Sequence, residues 1–287
     1  MIYIGCSGFQ YDDWIGKFYP EGLDKKYFFH YYSRFFNTTE INSSFYSFPQ
    51  RETVISWIRK ARADEDFIFS FKYPQEVTHS QNPFEGKSID IANEFQRDVL
   101  EPFRKEGKLG AALIQLSPFL NPEKDQTIIK RINDFLGSIN VKDYRNSMEI
   151  RNRGFLVPGI LESFLKILYD HNVALVSIDS PLFNPFYYPT ADFSYVRFHG
   201  RNYDIWFKHD VNDGRLNRYD YLYSIEELLP WVDLVKRMNG DVFIYFNNHA
   251  YAKAAINALE FSRLLGINVD KKGYNQRDLS SFDLEME

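Results

Sequence analysis

Eight short runs rich in β-branched and aromatic residues recur along the chain at intervals too long for hairpins. They are IYIGCSG (2–8), TTEINSS (38–44), FIFSFKY (67–73), AALIQLS (111–117), SMEIRN (147–152), VALVSID (173–179), SYVRFHG (194–200) and VFIYFNN (242–248). Segments with apolar residues at three- and four-residue steps fall between most of them: 24–36, 51–62, 88–105, 122–136, 158–170, 224–238 and 250–264. Strands alternating with helices predict parallel β–α units. One interval breaks the rhythm. In SPLFNPFYYPTADF (180–193) three prolines oppose a regular crossover helix.

Such units close into a barrel or spread into an open, doubly wound sheet. GCSG (5–8) lacks the full glycine-rich dinucleotide fingerprint, and no phosphate-binding G-x-x-x-x-G-K-[ST] occurs. Eight units in roughly 250 residues suit the barrel. The expected fold is therefore a TIM-like (β/α)8 barrel spanning 1–278, with an irregular crossover between strands 6 and 7 and an acidic tail over 279–287.

Composition narrows the function classes. With 34 Lys and Arg against 39 Asp and Glu, the formal charge of −5 argues against a protein that coats nucleic acid non-specifically. The single cysteine, Cys6, excludes an intramolecular disulfide and a cysteine-based zinc site. The start MIYIGCSGF has no basic segment followed by an apolar run, and no run of 18 uncharged apolar residues occurs. The expectation is a cytoplasmic protein without a membrane partner.

Alternation assigns the strand faces. One face reads Ile41; Phe67, Phe69, Phe71; Ile114, Leu116; Met148, Ile150; Val196, Phe198; Ile244, Phe246. These should meet the helices. The other face carries Glu40 and Asn42; Ser70 and Lys72; Gln115 and Ser117; Glu149 and Arg151; Ser177 and Asp179; Arg197 and His199; and Asn247. In nearly every strand these polar residues come at the C-terminal end, where barrel active sites are built. A salt-bridged plug of the barrel is the competing reading, since Glu149 would pair well with Arg151 or Arg197.

Motifs across most of the chain resemble a known family. IGCSGFQYDDWIGKFYPEGL (4–23), FFNTTEINSSFYSFP (35–49), FSFKYPQEVTH (69–79), LIQLSPFL (113–120), MEIRN (148–152), TADFSYVRFHGRN (190–202) and VFIYFNN (242–248) follow one another in the expected order. Together they resemble the YecE-like family, domain of unknown function 72. The resemblance implies a TIM-like barrel and no established activity. Where that family's last motif often continues with Asp-His or a glycine-rich turn, this chain reads Asn247-Asn248-His249-Ala250-Tyr251. His249 is therefore assigned no role.

The polar ring points first to a hydrolase acting on a phosphate-bearing substrate, a nucleotide or nucleic acid. Arg197 and Arg151 would hold the phosphate with Lys72 nearby, because guanidinium forks match its oxygens. Asn42, Gln115, Asn247 and the loop residue His79 would add contacts. Glu40, Glu149, Asp179 and His199 are the catalytic candidates, and the three carboxylates could hold one divalent cation, Mg²⁺ or Mn²⁺. Phe9, Tyr11, Trp14, Tyr46 and Tyr203 could stack on bases. A glycosidase using Glu40 and Glu149 is the alternative, although three cations exceed what a neutral sugar needs. A non-catalytic anion or nucleic-acid binder is the other. The residues leave the oligomeric state open.

Overall fold

The eight expected strands appear as a ring of parallel strands. The structure, a computed structural model, describes residues 1–62, 64–183, 185–203 and 218–269. The strands are β1 (Ile2–Cys6), β2 (Thr38–Ile41), β3 (Ile68–Lys72), β4 (Leu109–Gln115), β5 (Asn146–Glu149), β6 (Ala174–Leu175), β7 (Ser177–Asp179), β8 (Ser194–Phe198) and β9 (Val242–Phe246). Hydrogen-bonded ladders join them into two arcs, β1-β9-β8-β7 and β2-β3-β4-β5-β6. β6 and β7 are successive halves of one extended segment, 174–179. The first half pairs with β5 and the second with β8, so the segment passes the ring from one arc to the other.

The arcs meet again where β1 lies beside β2. Here side chains replace a backbone ladder. Tyr32 Oη accepts the Cys6 amide at 2.7 Å and donates to the Thr38 carbonyl at 3.0 Å. Thr39 Oγ1 donates to the Cys6 carbonyl, and the Asn37 amide bridges Ile4 N and Ile2 O. The approach is possible because position 5 is glycine: a Cβ there would stand 2.0 Å from the Thr38 carbonyl oxygen. The fold is thus of the TIM-barrel type, with side-chain lacing at one seam.

The aromatic excess lies largely between strands and helices. Phe67, Phe69 and Phe71 pack in a row against Phe29 of the helix Phe28–Tyr32 and Phe103 of the helix Glu101–Lys105. Across the barrel, Phe198 and Phe246 stack face to face beneath Phe261 of the helix Lys253–Leu264. These are the outward apolar residues expected from alternation.

Several helices match their periodic segments, Arg51–Arg62 to the residue. Others differ for local reasons. The expected 88–105 helix is three pieces, because Pro102 has no amide to donate and the preceding turn widens to a π-helix over Gln96–Leu100. The expected 122–136 helix begins only at Thr127, whose amide and hydroxyl bond Asp125 Oδ1. The 180–193 crossover contains no helix among its described residues, as its prolines require. The acidic tail lies outside the described residues, as does the end of the expected domain.

Candidate active site

β8 carries the centre of the inward face. Parallel partners share a face, so the register Arg197↔Tyr245 sets Arg197 inside with Tyr245. Tyr195, two residues earlier, also points inward. Arg197 is 1 % exposed and spans the bore. Its Nη2 donates to Glu40 Oε1 at 2.7 Å and its Nη1 to Glu149 Oε2 at 2.6 Å, with Gln115 Oε1 a further acceptor at 3.3 Å. Glu40 also accepts from Ser7 Oγ at 2.7 Å and Tyr195 Oη at 2.6 Å. Tyr195 and Ser7 were not among the expected site residues. Tyr195 was legible, because it alternates onto the same face as Arg197.

Glu149 gathers three donors. Arg151 Nη1 reaches its Oε1 at 3.0 Å, while Arg197 and His199 share Oε2. Burial alone would raise this carboxyl; the Arg197 charge, helped by His199 and Arg151, holds it well below the usual range. The Asn247 amide nitrogen lies 3.0 Å from His199 Nδ1 and can only donate, so the ring proton sits on Nε2, facing Glu149 at 3.3 Å. His199 is fully buried, and burial leads in pushing it down to about 4. It is a neutral, oriented imidazole at neutral pH.

Lys72, at the end of β3, is 7 % exposed, with its Nζ 3.5 Å above the Phe45 ring. Among the described residues no carboxylate lies within ion-pair distance of it. Burial, then the Arg197 charge, lowers it to about 7. His79 packs edge-on against Phe45 and shares a hydrogen bond with Thr78 Oγ1 through Nδ1. Burial, then the Lys72 and Arg151 charges, lowers His79 to about 4. Asn42 is half-buried, and among the described residues its Oδ1 has no hydrogen-bond partner.

Glu40, Gln115, Glu149, Arg151, Arg197, His199 and Asn247 form one connected network. Lys72 and His79 flank it through electrostatic contact with its charges.

Asp179 does not join them, which corrects the sequence expectation. Its register partner is the outward Phe198, while the inward Arg197 is matched by Ile178. Along 174–179 the inward face is apolar and Ser177 and Asp179 face outward, the reverse of the neighbouring strands. Asp179 instead accepts from Trp231 Nε1 at 2.7 Å, Tyr223 Oη at 2.8 Å and both arms of Arg201. Trp231 lies on the helix Ile225–Val235 of the outer layer. The expected three-carboxylate cation site therefore does not assemble: Asp179 faces away, and Arg197 stands between Glu40 and Glu149. Among the described residues no group of three or more His, Cys, Asp or Glu side chains is placed to hold a metal.

The aromatic candidates also divide. Phe9 and Trp14 are buried in packing, Tyr11 stacks on His249 at 4.7 Å, and Tyr46 and Tyr203 are exposed.

The molecule is thus a TIM-type barrel with a buried ion-pair network crossing its bore and cations at its C-terminal mouth. The chain belongs to the family described as protein of unknown function DUF72, whose pattern matches residues 3–279. It is 29% identical to the UPF0759 protein YunF of Bacillus subtilis (strain 168), over 97% of this chain and 100% of that one. It is 26% identical to the UPF0759 protein YecE of Escherichia coli (strain K12) over 63% of this chain and 60% of that one. The crystal structure of a DUF72 family protein from Thermotoga maritima MSB8 superposes with a TM-score of 0.73 at 28% identity, covering 93% and 99% of the two chains. One from Enterococcus faecalis V583 gives 0.74 at 23% identity, covering 96% and 100%, and shows the fold alone. Among the described residues no helix is long and apolar enough to cross a membrane.

Proposed function

We propose that the mouth of the barrel binds and hydrolyses a phosphate-bearing substrate, a nucleotide, nucleic acid or small phosphate ester. The observation that carries this reading is Lys72, a buried amine at the mouth without a carboxylate partner among the described residues. Arg197 and Arg151 balance the charges of Glu40 and Glu149, so the surplus positive charge of the mouth is that of the Lys72 ammonium. A buried cation without a counter-ion favours an incoming anion. Arg151, half-buried at the rim, suits a direct phosphate contact; Arg197, enclosed by carboxylates, suits a supporting one. Gln115, Asn42, Asn247 and His79 supply neutral hydrogen-bonding groups around it. His199, oriented through Nε2 by Glu149, offers Nδ1 as proton acceptor for water once substrate draws the Asn247 amide away.

A glycosidase reading has less support. It needs one carboxyl raised to act as acid, and Glu149 is pulled the other way.

The test is calorimetric binding of inorganic phosphate and nucleoside monophosphates, with turnover on a panel of phosphomonoesters, phosphodiesters and glycosides, with and without Mg²⁺, Mn²⁺ and Zn²⁺. Arg151→Gln should weaken anion binding about 10- to 100-fold. Unchanged anion binding in Arg151→Gln would remove the reading. Anion binding without turnover on any substrate would favour a non-catalytic binder.

A further inference from the structure

In the preceding reading Lys72 contributes only positive charge; the reactivity of its amine is left unused. The other cations around it all have acceptors: Arg197 lies on Glu40 and Glu149, Arg151 on Glu149, and Arg201 on Asp179. Lys72 has the face of Phe45 instead, and is nearly closed off from solvent. An amine held in an apolar pocket beside fixed positive charge is the arrangement that turns lysine into a nucleophile, because both surroundings favour its unprotonated form. Glu149 and Glu40 favour the ammonium from across the bore, but both are bound to Arg197, and burial with the Arg197 charge outweighs them.

We propose that Lys72 attacks the carbonyl carbon of a phosphate-bearing aldehyde or ketone and holds it as an imine at the barrel mouth. The amine lone pair forms the new C–N bond. A proton passes from nitrogen to oxygen to give the carbinolamine; its hydroxyl takes a second proton from solvent, the C–O bond breaks with loss of water, and the nitrogen lone pair closes the C=N bond to leave the protonated imine. The protonated imine restores a cation at the same place, where Glu149 and Glu40 stabilise it across the bore. This deepens the preceding reading and rests on it for the phosphate, which Arg151 would hold. The carbonyl half rests on Lys72 and Phe45 alone.

The experiment treats the full chain at pH 7 with glycolaldehyde phosphate, or with glycolaldehyde, in the presence of sodium cyanoborohydride. The hydride reduces the imine to a stable secondary amine, and peptide mass spectrometry reads the adduct at each lysine. Lys72 should label about 100-fold faster than the exposed Lys130 and Lys166, since an amine lowered to about 7 is largely free where ordinary lysines are almost wholly protonated. The rate at Lys72 should reach half its maximum near pH 7, and Lys72→Arg should abolish this adduct while leaving the others. Labelling of Lys72 no faster than Lys130 and Lys166 overturns the proposal. If that occurs while inorganic phosphate still binds by calorimetry, the phosphate reading survives alone. Equal labelling of Lys72 by both aldehydes, with no loss in Arg151→Gln, upholds the imine and overturns the phosphate reading.

Discussion

Arg197 Nη2 sits 2.7 Å from Glu40 Oε1, across 157 positions of sequence and across the bore of the barrel. Its other terminal nitrogen holds Glu149 at 2.6 Å. One guanidinium therefore bridges two fully buried carboxylates drawn from two strands of the opposite arc, and Arg151 supplies the second positive charge at Glu149.

Removing that guanidinium strands both acids. Arg197→Ala should cost about 3–5 kcal/mol of stability in urea denaturation. Arg197→Lys should recover only part, because a single ammonium cannot fork to both partners. Arg197→Met combined with Glu40→Gln and Glu149→Gln should cost less than Arg197→Ala alone. If Arg197→Ala is as stable as the parent, the central role given to this residue is wrong.

Lys72 should act in the opposite direction. Its folded-state value, about 7, lies below the ordinary 10.5. Between those limits the unfolded chain binds more protons than the folded one, so stability attributable to Lys72 rises with pH across that window. Below pH 7 the penalty of burying an ammonium is fully present. Lys72→Met should thus be more stable than the parent at pH 6–7, by on the order of a few kcal/mol. The two proteins should converge above pH 10.5. Thermal melts across the series decide it, and a Lys72→Met variant less stable at pH 6 would refute the argument.

His199 sets an acid limit. Burial lowers it from 6.5 to about 4, so the unfolded state takes up the extra proton first and stability falls as pH drops from 6.5 to 4. His199→Gln should flatten the stability profile in that interval. Glu149 adds a separate loss lower down, as pH falls below the ordinary carboxyl value of 4.5 toward its depressed one. Denaturant midpoints from pH 7 to 3 would show the two phases, and a His199→Gln profile parallel to the parent would exclude the assignment.

The seam between β1 and β2 makes a prediction about position 5. Gly5→Ala would drive a Cβ into the Thr38 carbonyl, a backbone atom that cannot turn aside. It should sharply reduce the yield of folded protein. Tyr32→Phe, which leaves the buried Cys6 amide without its acceptor, should cost about 1–3 kcal/mol. Wild-type stability in either variant would mean that the seam is held by something else.

The strand count, the barrel and most of the ring were legible because alternation survives wherever helices press on one face: Phe69 and Phe71 name the outside, Ser70 and Lys72 the inside. Asp179 escaped the same rule for a physical reason. Behind β7 the outer layer offers Trp231, Tyr223 and Arg201 as hydrogen-bond donors, so a carboxylate is satisfied there and the apolar Ile178 turns inward. Polarity alone could not reveal that exchange, because its partners come from 22 to 52 residues away. The roles within the ring were hidden similarly. Nothing local distinguishes Arg197, paired with two acids, from Lys72, which has no ion pair among the described residues.

Among the described residues, the two arcs of the barrel are joined through backbone ladders only by the divided segment 174–179. The remaining join depends on side chains, and Arg197 fastens one arc to Glu40 and Glu149 of the other. A rivet placed in the floor of the barrel mouth ties the charge pattern of that mouth to the integrity of its walls. A substitution that removes charge at Arg197, Glu40 or Glu149 therefore also loosens the join between the two half-shells.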